Sequence, residues 1–143
     1  MLVYLDNCCF NRPFDDQSQA RVRLEAEAKL EIQQRIKDSR FDLAWSYVLD
    51  FENEANPFQE RRDTIAGWKA EAGKSIEETD AIIEKARELT GRGLRPADAL
   101  HIACALEMGC DFFLTTDDGV IKKMRGFSGI AVMDPTQFVV EVE

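Results

Sequence analysis

Four acids, Asp6, Glu52, Asp98 and Asp117, are the residues of this chain best placed to do chemistry together. Asp98 poses the question most sharply. It lies in PADALHIACALEM, residues 96–108, which is apolar on nearly every side and is broken only by Asp98, His101 and Glu107. That pattern predicts a buried helix, with proline at its first position and Gly109 as its stop. An unpaired carboxylate buried in a first helical turn costs several kcal/mol, so Asp98 needs partners. Carboxylates gathered in one place repel, and a cation relieves the repulsion. The four candidates offer only oxygen, with no cysteine pair or second histidine beside them, which selects Mg²⁺ or Mn²⁺ over zinc. Two such ions about 3.5–4 Å apart can activate a water and stabilise the leaving oxygen of a phosphoryl displacement. Phosphodiester hydrolysis is the chemistry this set would perform.

Taken singly, each acid fits a lesser role. Asp6 follows a strand and suits a turn or a helix cap. Glu52 is flanked by Asp50 and Glu54 and would pass for surface charge. Asp98 could complement a helix dipole, and Thr115, Thr116, Asp117 and Asp118 could form a polar loop. Asp117 and Asp118 are adjacent, and either could serve as the ligand. His101 stands three residues after Asp98 and shares its helix face, where a hydrogen-bonded core histidine supporting the acids is expected. Arg12, Arg92, Arg95, Lys122, Lys123 and Arg125 flank the acids in sequence and could hold a phosphate backbone, or simply be solvated.

The elements that would gather these acids follow from periodicity. Strands are predicted at residues 2–5, 41–46, 112–115 and 130–133, each short and apolar or β-branched. Helices are predicted at 18–37, 47–55, 58–72, from a capping box at Ser75 to about residue 90, and at 96–108, with a short turn at 122–124. In the helix at 18–37, Val22, Ala26 and Leu30, and Leu24, Ala28, Ile32 and Ile36, recur four apart and mark a packed face. The tail, from residue 136 on, fits a strand or a short helix burying Phe138 equally well. Crossovers this long demand parallel strands with helices on both faces, a small doubly wound three-layer α/β/α domain with four to five strands in a mostly parallel sheet. Helix starts then lie beside strand ends, so all four acids fall on the carboxyl rim, where α/β proteins place their sites.

Bulk composition agrees. At 143 residues, with no repeat or linker, the chain fits one domain spanning 1–143. Its net charge of −9 argues against general nucleic-acid binding, an objection that weakens once metal fills the acids. Cys8, Cys9, Cys104 and Cys110 show no zinc spacing and read as free thiols of a reducing compartment. With no apolar run of transmembrane length and no signal peptide, no membrane role and a cytoplasmic location are expected.

The motifs resemble the PIN-domain family, and in size and layout its VapC-like toxin members. VYLDN at residues 3–7 resembles the opening strand and first acid of the family. SYVLDFE, with Ser46 six before Glu52, resembles the second acid and its lead-in, and ADALHIACALEMGCDFFLTTD at 97–117 resembles the block holding the third and fourth. The family usually follows its first Asp with Thr and then Asn or Ser, where this chain has Asn7 and Cys8. The resemblance implies a metal-dependent endoribonuclease that leaves a 5′-phosphate and a 3′-hydroxyl, works as a homodimer and is held by a small antitoxin. It implies Asp6, Glu52, Asp98 and Asp117 as catalytic metal ligands, with Asn7, Ser46, His101, Thr115, Thr116 and Asp118 around them. The competing reading is a non-catalytic interaction module on the same fold. An aspartate-nucleophile phosphatase or phosphoacceptor domain is less favoured, because Asp6-Asn7-Cys8 supplies neither the DxD pair nor the double Asp those chemistries need.

Overall fold

The computed structural model describes residues 1–142. Its strands are β1 (Leu2–Leu5), β2 (Asp42–Ser46), β3 (Lys74–Ile76), β4 (Phe112–Leu114) and β5 (Ala131–Met133). Its helices are α1 (Asn7–Asn11), α2 (Ala20–Lys37), α3 (Tyr47–Glu54), α4 (Gln59–Trp68), α5 (Asp80–Thr90), α6 (Pro96–Glu107), α7 (Asp118–Lys123) and α8 (Pro135–Glu141). Single 3₁₀ turns at Arg12–Phe14 and Lys69–Glu71 extend α1 and α4.

The five strands form one sheet in the order β3-β2-β1-β4-β5, and every pairing is parallel. β1 is central and buried, with Val3 opposite Leu43 on one side and Phe112 on the other. Strand order reverses between β1 and β4. Right-handed crossovers place α1 to α4 on one face and α5 to α7 on the other. The tail is a helix: Asp134 caps α8, which packs on α2 and buries Phe138 among Phe41 and Phe112.

Three expectations are corrected. The stretch at Ser75 is not a capping box. Lys74–Ile76 is instead an edge strand held against β2, and α5 starts five residues later, where Thr79 Oγ accepts the Ile82 N–H. The buried face of α2 also runs differently. Leu24 and Leu30 are each about half exposed (54% and 52%), while Glu25 and Lys29 point inward. A four-residue row drifts around a helix of 3.6 residues per turn, so neither row stays on one face. Finally, the chain re-enters helix at once after Asp6, forming α1, a helix absent from the predicted elements although a helix cap is one of the two roles that suit Asp6.

Helix α6 begins and ends as read. Pro96 occupies its first turn, and Gly109 at φ +72° closes it with Gly109 N–H to Leu106 O and Cys110 N–H to Ala105 O. The chain then enters β4 directly. Among the described residues no helix is long and apolar enough to cross a membrane.

Candidate metal centre

Each acid is fixed by the element it starts or ends. Asp6 follows β1, its backbone N–H still bonded to Leu114 O of β4 across the point where strand order reverses. Its Oδ1 accepts the Asn7 N–H at 2.8 Å and so caps α1, and its Oδ2 accepts the Thr115 hydroxyl at 2.9 Å. The capping role and the site role are therefore the same geometry, because the bonds that seat the carboxylate also aim it. Asp117 repeats the arrangement after β4, its Oδ1 accepting Gly119 and Val120 N–H groups at the start of α7. Thr115 Oγ1 also accepts the Asp117 N–H, so one hydroxyl joins both acids.

Glu52 and His101 meet between α3 and α6. His101 is buried (1% exposed) and its Nε2 bonds to Glu52 Oε1. The same nitrogen lies 3.7 Å from Asp6 Oδ1. Donor atoms of Asp6, Glu52 and His101 all fall within 4.8 Å of one another, a spacing that one cation could bridge. The donor set is thus not oxygen alone, since an imidazole nitrogen faces the acids. On its far side, His101 Nδ1 lies 2.5 Å from the Tyr4 hydroxyl, which lies 2.6 Å from Ser46 Oγ. Ser46 in turn caps α3 by accepting the Leu49 N–H. Burial, the strongest influence on His101, favours its neutral form, yet the bond to Glu52 and the fields of Asp6, Glu52 and Asp98 together raise its pKa above the ordinary value. Tyr4 is held well above the usual phenol range, chiefly by burial, and stays neutral.

Asp98 completes the rim. Its carboxyl is raised above the ordinary value, first by burial, then by the field of Asp6, with Arg95 opposing and Asp117 adding to the rise. Arg95 lies over this side of the cluster, with Nη2 3.1 Å from Asp117 Oδ2 and Nε 3.5 Å from Asp98 Oδ2.

The remaining expected positions divide. Thr115 seats two acids, and Thr116 bonds through its N–H to Cys8 Sγ. Asn7 touches the site through its backbone, while its buried Oδ1 has no hydrogen-bond partner. Asp118 turns away into a double contact with Arg21, 2.7 Å on each oxygen, which holds its carboxyl below the usual range. Arg12 is spent on Glu25 and Asp15, and Arg92 on the Lys123 and Arg125 carbonyls. Lys122, Lys123 and Arg125 make no ion pair among the described residues. Sequence reasoning missed Tyr4, Arg21 and Cys8, whose Sγ lies 3.5 Å from Asp6 Oδ2. Tyr4 had no polar neighbour in sequence to mark it. The other three thiols are buried, with Cys104 and Cys110 pushed up to about 12 by burial.

The profile of the PIN domain family matches residues 3–126, from β1 through α7. The chain belongs to the PIN domain family. Solved structures of similar fold support the placement. FitAcB from Neisseria gonorrhoeae aligns at TM-score 0.61 and 13% identity, over 93% of this chain and 97% of its own. VapBC-1 from nontypeable Haemophilus influenzae aligns at TM-score 0.60 and 13% identity, over 95% and 99%. PAE2754 from Pyrobaculum aerophilum gives TM-score 0.57 and 17% identity, over 98% and 88%. At such identities the likeness is one of fold. No curated protein matches this PIN domain significantly in sequence.

Proposed function

We propose that this PIN domain, working as one unit over residues 1–143, is a Mg²⁺- or Mn²⁺-dependent endoribonuclease and the toxin of a toxin–antitoxin pair. The observation that carries the reading is the meeting of Asp6, Glu52 and His101 within 4.8 Å, on the carboxyl edge where Asp98 and Asp117 also open. A set of four carboxylates with one imidazole, all but Asp98 seated by hydrogen bonds, fits a hard divalent ion. Asp6, Glu52, Asp98 and Asp117 would hold it, and when bound it supplies Lewis acidity at the phosphorus and a nucleophile from water at neutral pH.

The chain's own groups do the rest. The Thr115 hydroxyl and the Asn7 N–H at the start of α1 aim the Asp6 carboxylate. His101, held from behind by Tyr4 and Ser46, orients Glu52 and can carry a proton beside it. Arg21, already paired with Asp118, Glu25 and the Thr116 carbonyl, braces the start of α7 against α2 and holds Asp118 away from the rim.

The likeness to the FitAcB and VapBC-1 structures supports a protein antitoxin as partner; a homodimeric, cytoplasmic working form is part of the same proposal. The test is direct. Purified protein should cut single-stranded or structured RNA when Mg²⁺ or Mn²⁺ is present, and EDTA or Asp98→Asn should stop it. Cutting that survives both treatments would remove the reading. Absence of cutting together with absence of divalent-ion binding in calorimetry would favour the non-catalytic interaction module.

A further inference from the structure

Two basic side chains already lie against the acids of this rim, and they do so differently. His101 lies beneath the acids, buried and bonded on both ring nitrogens. Arg95 lies above them on an exposed stem, its side chain 74% accessible, bridging Asp98 and Asp117. The oxygen it takes on Asp117 is Oδ2, the one left over after Oδ1 has capped α7. On Asp98 it takes Oδ2 as well, and among the described residues that carboxylate accepts no hydrogen bond within 3.5 Å from any backbone N–H or other side chain. Arg95 thus holds the two oxygens that a divalent ion on this side of the cluster would need.

We propose that Arg95 is an internal counter-cation that exchanges with the metal. This rests on the metal-dependent reading of the site. With no metal bound, the guanidinium bridging Asp98 and Asp117 relieves the repulsion among these carboxylates. A divalent ion held by Asp98 and Asp117 would compete with the guanidinium for the same oxygens and, with twice its charge, would displace it. Exposed ion pairs are weak, so the exchange is readily reversed. Once displaced, Arg95 stands just before α6 as its N-cap residue, at the mouth of the site and without an acid partner. A planar guanidinium in that position is suited to bidentate contact with a phosphate. The side chain therefore positions substrate only in the metal-loaded state.

The experiment measures Mn²⁺ binding by calorimetry on protein stripped with EDTA, comparing wild type with Arg95→Gln, Arg95→Lys and Arg92→Gln. Arg95→Gln should bind Mn²⁺ roughly two- to fivefold more tightly, the range expected for losing an exposed competing ion pair. The same variant should raise KM for RNA more than it lowers kcat at saturating metal. Arg95→Lys keeps the charge and should fall between. Arg92, held on carbonyl oxygens away from the acids, serves as the charge control and should leave Mn²⁺ affinity unchanged. Equal affinity in wild type and Arg95→Gln, or equal tightening by Arg92→Gln, overturns the exchange while leaving the nuclease reading intact. A wild type that binds no Mn²⁺ removes the reading of the site, and the exchange with it.

Discussion

Tyr4 is the side chain on which the histidine arm of the site depends. Its hydroxyl is the middle of a buried chain from Ser46 to His101, and its ring stacks on Phe113 of the next strand at 5.2 Å. Tyr4→Phe should keep the ring packing and leave His101 Nδ1 and Ser46 Oγ short of a partner, costing about 1–3 kcal/mol in urea denaturation. A cost near zero would mean that water replaces the phenol. Lys29 offers a second test. It is buried (3% exposed) between the faces of Phe10 and Trp68, with no acid partner among the described residues. Burial lowers its pKa from 10.5 to about 8, with Cys9 acting the other way. Across that window the unfolded chain holds this proton more than the folded chain does, so this site's contribution to stability rises with pH. Lys29→Met should be the more stable protein near neutral pH, by at most about 3 kcal/mol before the lost cation–π contacts are subtracted. The gap should close as pH climbs from 8 toward 10.5, read from paired denaturation curves.

At the scale of elements, the sheet edge between residues 73 and 80 is where local signals misled. Ser75-Ile76-Glu77-Glu78 has the composition of a capping box, but β2 offers an open edge and Lys74–Ile76 pairs with it. Thr79 then takes the cap of α5, where its Oγ meets Ile82 N–H at 3.2 Å. Thr79→Ala should cost about 1 kcal/mol of stability and Ser75→Ala much less. The reverse order would restore the capping box at Ser75. The α6–β4 segment, by contrast, was legible to its ends, because Pro96 and Gly109 punctuate it and its apolar content leaves no other state. Asp6 and Asp117 were legible for a related reason. A carboxylate directly after a strand of a parallel sheet sits on the carboxyl rim whatever the neighbouring elements do. Helix α2 was only half legible, since its two apolar rows could not both face inward.

For the whole molecule, the balance of charge at the carboxyl edge decides behaviour. A chain of net charge −9 gathers four acids on one rim and tolerates them through His101, Arg95 and the hydrogen bonds of Thr115 and two helix starts. Divalent ions that bind only the folded state should therefore stabilise it. At 100 times the dissociation constant the gain is about 2.7 kcal/mol, on the order of 10 °C in Tm for a domain of this size. Asp6→Asn should abolish the shift in a thermal melt with Mn²⁺, and a variant that still responds would place the ion elsewhere.

The residues alone determined that four acids would end on one edge of a parallel sheet, because strand ends and helix starts are local features carried by short patterns. Which charges face which acid was decided only by the folded chain. The bond of His101 to Glu52 spans 49 residues, that of Arg95 to Asp117 spans 22 and that of Arg21 to Asp118 spans 97. Strand order and helix packing set those distances, and no periodicity within one element records them.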